Sequence, residues 1–220
     1  MIEADFAKTI ERIQQTLGEP QHAHAECLQI LAAHLQAFVR YHLATFDFEG
    51  FPLPDDTQGV LCAYTLFQAD GSGLSLRVNA IRGGVNSAVH NHGTWAVIVG
   101  IRGTEINRIY SLRADSPSST NTGRRSSPTA AIVHSSITDR STSTASAYSK
   151  ILGFDREARV GPGQSLVLPA TVFHSIHTPS DQPTLQLHLY GSDPDTSPGR
   201  AAVNVATGEW AILSNDADSH

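Results

Sequence analysis

Residues 61–101 read LCAYTLFQADGSGLSLRVNAIRGGVNSAVHNHGTWAVIVGI, and this stretch decides the fold. Apolar runs at Leu61–Ala69, Leu74–Ile81 and Thr94–Ile101 are cut by Asp70-Gly71-Ser72-Gly73 and by Arg82-Gly83-Gly84. Each run has strand length, and each break has turn composition. The same rhythm continues at Thr104–Leu112, Tyr148–Val160, Ser165–Leu168, Thr184–Tyr190 and Ala201–Leu213. Asp70-Gly71 and Gly103 both read as hairpin turns. Many short strands with regular Gly and Pro punctuation predict a mainly β barrel or jelly roll.

Upstream the pattern changes. Ile2–Leu17 and Ala23–Leu43 read as helices, with Cys27, Ile30, Leu31, His34, Leu35 and Phe38 recurring at three and four in the second. Gly18, Glu19 and Pro20 separate the two, and Asp47–Gly59 reads as a connection. A chain of 220 residues is roughly one and a half times a domain of about 150. The expected organisation is therefore one domain: a helical segment over 1–59 packing on a barrel over 60–220. Residues 114–147 are rich in Ser and Thr and read as a long surface insertion or as a lid over a site.

Composition excludes several classes. The net charge of −6 argues against a protein that binds nucleic acid by neutralising phosphates. The longest apolar runs are too short to span a bilayer. Met1–Arg12 lacks an apolar secretory core, and two cysteines, Cys27 and Cys62, do not make a disulfide framework, so the expected compartment is the cytoplasm. Monomer and homo-oligomer stay open.

Histidine carries the chemistry. Of eleven, His90, His92, His174, His177 and His188 fall near strand-like segments. In a strand, His90 and His92 project to one face, as two surface histidines or as two ligands of a metal. Gly84 precedes them by six residues, and Gly163-Gln164-Ser165-Leu166-Val167-Leu168-Pro169 reads as turn, strand, turn, leading to His174. His177 reads as a neighbour of the site or a surface residue. His22, His24, His34, His42, His134 and His220 read as surface or core.

These two blocks resemble the paired motifs of the cupin superfamily, a double-stranded β-helix in which an H-x-H pair and a third His meet on a metal. Many cupins add a Glu about four residues after the pair. Here Ala96 and Val97 stand there, and Glu105 lies past the Gly103 turn, outside the expected set. A site of three neutral histidines would leave a dication's charge intact and favour anionic ligands such as a thiolate.

His90-Asn91-His92-Gly93-Thr94-Trp95 is similar to the H-D-H-G-T-W block of bacterial thiol dioxygenases of the cysteine dioxygenase type. Leu187-His188-Leu189-Tyr190-Gly191 resembles their S-x-H-x-Y block, with Gln186 in place of the serine. The likeness covers roughly 60–211 outside the insertion. It implies Fe(II) on His90, His92 and His174, and a relay of Gln186, His188 and Tyr190 beside it. It implies addition of both atoms of O₂ to the sulfur of a small thiol. Gln186, His188 and Tyr190 share one face of their strand. No cysteine follows Cys62, which excludes the cysteine–tyrosine crosslink of eukaryotic members.

For the substrate, the early-strand arginine of cysteine dioxygenases is replaced by Leu66 in Tyr64-Thr65-Leu66. The 3-mercaptopropionate branch uses an arginine about ten residues past the relay tyrosine, where this chain has Arg200. Arg200 is either the carboxylate binder or an exposed loop residue, and Trp95 either walls the pocket or fills the core. The resemblance thus favours a 3-mercapto acid over L-cysteine. Two rivals stand: another three-His cupin dioxygenase that cleaves a carbon–carbon bond, and a catalytically silent metal-binding cupin.

Overall fold

In a computed structural model the described residues are 2–18, 23–57, 59–70, 73–112, 152–204 and 209–213. The 114–147 insertion lies outside them. Helices α1 (Ile2–Leu17) and α2 (Ala25–Tyr41) precede eleven strands. These are β1 (Leu61–Gln68), β2 (Ser75–Ile81), β3 (Val89–His90), β4 (Ala96–Arg102), β5 (Glu105–Leu112) and β6 (Leu152–Val160). Then come β7 (Ser165–Leu168), β8 (Phe173–His177), β9 (Thr184–Tyr190), β10 (Ala201–Val203) and β11 (Trp210–Ile212). One sheet runs β1-β2-β9-β4-β7 and the other β11-β10-β3-β8-β5-β6. All strand pairs are antiparallel. The two sheets make a mainly β sandwich of the double-stranded kind expected from the sequence.

The first sheet explains why the helices sit where they do. Every residue of β2 and β9 is buried. Alternation sends Leu76, Val78, Leu185, Leu187 and Leu189 to the outer face, with Val97 and Val99 of β4. There they form one apolar cluster with Ile13, Leu31, Leu35 and Phe38 of the helices. The buried stripe of α2 is Leu28, Leu31, Ala32, Leu35, Phe38 and Val39. Ile30, expected on that stripe, is 45% exposed, because the stripe turns one position away from it. The inner face of the same strands carries Ser75, Arg77 and Asn79 beside Tyr190, His188 and Gln186. The barrel interior is therefore polar along one wall and apolar at Ala96, Ile98, Ile109, Leu166 and Leu168.

Two expectations change. β1 and β2 pair antiparallel as the expected hairpin requires, with Gln68 opposite Ser75, while Gly71 of the expected turn lies outside the described residues. The Gly103 turn does not close a hairpin. It carries the chain from β4 in one sheet to β5 in the other. Gly103 takes a φ of +66° against the Pro183 carbonyl, where a Cβ would collide. Ala201–Leu213, read as one run, is the hairpin β10–β11, closed by Asn204 N–H donating to the Glu209 carbonyl at 2.8 Å.

Gly100 packs its backbone directly against the turn at residues 161–164. Its N–H donates to the Gln164 carbonyl at 2.9 Å, and its carbonyl accepts from Gly163 N–H at 2.8 Å. A Cβ at position 100 would meet the backbone carbonyl of Gly161, which cannot swing away. Gly100→Ala is expected to destabilise the fold by about 2 kcal/mol or more, read as a lower urea midpoint at unchanged slope.

Candidate metal centre

Strand β3 is only two residues long, held between β10 and β8. His90 lies directly opposite His174 in that ladder. His92 falls just beyond the strand, so strand alternation does not align it with His90. It is delivered instead by the turn at Gly93, whose φ is +68°. The rings converge all the same, with centroids 4.5 Å apart for His90 and His174, 4.9 Å for His92 and His174, and 5.4 Å for His90 and His92. One ring nitrogen from each lies within 4.8 Å of the others. His92 and His174 are buried, and His90 is partly exposed at the mouth.

The donors suit a metal. His90 Nδ1 is 3.0 Å from the Ala88 carbonyl, which can only accept, so the proton sits on Nδ1 and Nε2 keeps its lone pair. His174 Nδ1 donates to Asn107 Oδ1 at 2.7 Å, and Asn107 Nδ2 donates to Glu105 Oε1 at 2.8 Å. That chain fixes both the amide orientation and the imidazole tautomer. His92 Nε2 and His174 Nε2 face each other at 3.2 Å. Two imidazole nitrogens bound at about 2.1 Å to one ion stand roughly 3 Å apart. The three side chains thus fit one divalent cation, and imidazole donors suit iron, zinc, copper or nickel.

Burial keeps the ligands neutral. It lowers the proton affinity of His92 and His174 well below the usual histidine range, reinforced by His90 and His188. Burial also lowers His90, against the pull of the Ala88 carbonyl, and Arg200 lowers it further. Neutral imidazole is the form that coordinates.

Tyr190 and His188 stand beside this group on β9. His188 Nδ1 and the Tyr190 hydroxyl are 2.9 Å apart, and the Tyr190 ring lies 5.1 Å from that of His92. Burial, helped by His90 and Arg77, takes His188 down to about 3. Burial raises Tyr190 above its usual range, so the phenol keeps its proton, against the pull of Arg77. Gln186 does not bond the relay histidine. Its Nε2 reaches the Val160 carbonyl at 3.4 Å, while Gln186 Oε1 and His188 Nε2 are both buried without a partner among the described residues. Arg200 Nη1 donates to Asp195 Oδ1 at 2.6 Å and to the Pro194 carbonyl at 3.2 Å. Trp95 belongs to the apolar cluster beneath the helices, its indole seated on Gly191, and lines a cavity of about 280 Å³ with Gly93, Thr94 and Pro198. His177 is paired with Asn86 at 2.8 Å.

Sequence reasoning missed four residues. Asn91, between the two ligands, accepts from Ala201 N–H at 2.8 Å and donates its own N–H to the Ala201 carbonyl at 3.0 Å. Arg77 is a buried cation opposite His188 in register. Glu105 and Asn107 are fully buried on the inner face of β5. The signal that could have found Glu105 and Asn107 is their own alternation with Ile109 once β5 is paired to β8.

No protein-family model matches the sequence, and no curated protein matches it. Similar solved structures include the DMSP lyase DddQ from Ruegeria pomeroyi DSS-3, at 16% identity and a TM-score of 0.38, covering 67% of this chain and 55% of that one. KdgF from Halomonas sp. is 11% identical with a TM-score of 0.37, over 63% of this chain and 85% of that one. A cupin 2 conserved barrel domain protein from Leptotrichia buccalis is 12% identical with a TM-score of 0.38, over 66% of this chain and 47% of that one. The chain thus spans about half the length of the first and third. Among the described residues no helix is long and apolar enough to cross a membrane. A mainly β fold with a buried three-histidine group fits a metalloenzyme or a metal-binding protein.

Two outcomes are expected. Asn107→Leu removes the acceptor that sets the His174 tautomer, and zinc affinity in a chelator competition should fall about 10- to 100-fold. Unchanged affinity would disconnect Asn107 from the metal. The metal-free protein should also lose thermal stability as pH drops from 7 to 5. A buried histidine with a depressed folded value stabilises fully above its ordinary 6.5 and loses that as the unfolded chain takes up protons below it. Glu105, raised by burial to about 7, works in the opposite sense, but four histidines outweigh one carboxyl. His188→Gln should flatten the decline.

Proposed function

We propose that the chain is a non-haem iron thiol dioxygenase that oxidises a small thiol carboxylate, a 3-mercapto acid rather than L-cysteine, to its sulfinate. The reaction balances as one thiol plus one O₂ giving one sulfinic acid. The observation that carries the reading is the Tyr190 hydroxyl, held 2.9 Å from His188 and set beside the ring of His92 in a buried three-histidine site.

Fe(II) on His90, His92 and His174 would supply a redox-active centre with open positions where a thiolate and O₂ can meet. The chain's own residues do the rest. Tyr190 keeps its proton and offers an O–H donor toward the reactants, and His188 sets the direction of that donor. Burial of His92, His174 and Tyr190 keeps bulk water from the reacting sulfur. Arg200 offers a guanidinium fork for the carboxylate end. Leu66, where a cysteine-specific arginine would stand, packs against the apolar cluster shared with the helices, which supports a substrate without that contact. The iron, the thiol partner and a cytoplasmic setting belong to this reading.

One observation favours a second reading, a metal-binding cupin without turnover. Gln186 turns to Val160 and leaves His188 Nε2 without a partner among the described residues, so the relay is incomplete where the thiol dioxygenases that the sequence resembles place serine.

The deciding experiment is O₂ consumption by the iron-loaded protein with 3-mercaptopropionate, L-cysteine, cysteamine and mercaptosuccinate, the product identified by mass. Uptake with a mercapto acid and little with cysteine is expected. His92→Ala should lose iron and activity together. Tyr190→Phe should keep iron and slow turnover about a hundredfold. Bound iron with no uptake on any thiol would favour the silent cupin or a different dioxygenase chemistry.

A further inference from the structure

Arg200 is held from both ends. Its backbone is tied to the metal-binding turn: Asn91 clasps the neighbouring Ala201 through two hydrogen bonds. A Cβ on Gly93 would lie 2.9 Å from Arg200 N and from the Pro198 carbonyl. Glycine there lets the 198–200 segment lie flat on the turn that delivers His92. The side chain is tied by Asp195, which accepts from Arg200 Nη1 at 2.6 Å through Oδ1. The other oxygen of Asp195, Oδ2, accepts from Arg77 Nη1 at 2.6 Å. Arg77 is in turn fixed on β2 by Ser75 Oγ at 3.1 Å and by Asp193 at 2.5 Å. One carboxylate thus references Arg200 to the strand that pairs with His188 and Tyr190.

What Asp195 leaves open matters most. It occupies the Nη1 end of the Arg200 guanidinium together with the Pro194 carbonyl. Arg200 Nε is buried and has no hydrogen-bond partner among the described residues. On a guanidinium, Nε–H and one Nη2–H lie side by side, the edge that receives a carboxylate with two parallel bonds. A buried cationic N–H without an acceptor is unfavourable, and an incoming carboxylate oxygen removes that deficit.

Resting on the carboxylate reading above, we propose that Asp195 is the positioning residue of the substrate's anion seat: it grips Arg200 by Nη1 and aims the Nε edge at the carboxylate of the thiol acid. The opposite possibility is that Asp195 competes with the substrate for Arg200. The free Nε edge speaks against it, and the two predict opposite signs.

The test uses zinc-loaded protein, which binds thiolates without turnover, and calorimetric titration with 3-mercaptopropionate and with 1-propanethiol. The ratio of the two affinities isolates the carboxylate contribution, and the propanethiol value reports the integrity of the metal site. Wild type should prefer the acid, and Arg200→Met should lose that preference. Asp195→Asn keeps the shape of a half-exposed side chain. It should cut the preference about tenfold, as for one lost charge-assisted bond, with propanethiol affinity unchanged. Asp193→Asn touches Arg77 but not Arg200 and keeps an Oδ1 that can still accept the Asp195 N–H, so it should keep most of the preference. A preference in Asp195→Asn equal to or above wild type, with Arg200→Met still impaired, overturns the positioning role. An equal loss in Asp193→Asn also overturns it, since loop stability would then set the affinity. No preference in wild type and no effect of Arg200→Met would sink the carboxylate reading itself.

Discussion

A single backbone pair, His90 opposite His174, holds the site together. It belongs to a strand of two residues, yet that strand is clamped on both sides, by β8 and by β10. The pair brings two ligands from distant parts of the chain to one spot with no freedom of register. A slip of one residue would turn His174 to the outside. His92 then needs only the tight turn at Gly93 to join them. The same turn receives the 198–200 segment, so the ligand set and Arg200 are placed by one piece of backbone.

The cost of a polar interior is carried by the outer face of the same sheet. Strand β9 alternates Thr184, Gln186, His188 and Tyr190 inward with Leu185, Leu187 and Leu189 outward, all buried. Each fully buried leucine contributes about 2 kcal/mol of transfer free energy. The inward residues give back part of that gain, because Thr184 Oγ1, Gln186 Oε1 and His188 Nε2 are buried without partners among the described residues. Helices α1 and α2 make the exchange possible, since without them the outer leucines would face water. The helical segment is therefore a condition for a site that keeps imidazoles neutral.

Much of this was legible in the sequence because it is local or periodic. Alternation on Thr184–Tyr190 placed His188 and Tyr190 on one face, and the spacing of glycine and proline around Ser165–Leu168 led to His174. What escaped depends on which strands become neighbours. The Gly103 turn has the composition of a hairpin, and only the sheet order makes it a crossover. That crossover brings Glu105 and Asn107 to the inner wall behind His174, although Glu105 lies thirteen residues past His92. Arg77 escaped for the same reason, since its inward direction follows from its register with His188. Gln186 was placed on the correct face, but which acceptor its amide selects depends on β6.

Charge balance gives the arrangement its chemical direction. Arg77 and Arg200 bring two positive charges close enough to act on the histidines, and Asp193 and Asp195 cancel them within the same network. The histidines add none, because burial holds them neutral. Asp195 stays ionised: burial pushes its proton affinity up, and Arg77 and Arg200 overturn that. With Glu105 holding its proton, which burial favours by raising its pKa to about 7, a divalent cation on the three imidazoles would be the net charge of the site, and a ligand with one thiolate and one carboxylate would neutralise it. A thiol that also carried an ammonium group would leave one positive charge uncompensated in a low-dielectric pocket, where such charges are costly. On the reading proposed above, discrimination between a mercapto acid and an amino thiol would need no dedicated contact to the amine. It would follow from the sum of charges fixed by four side chains and three neutral rings.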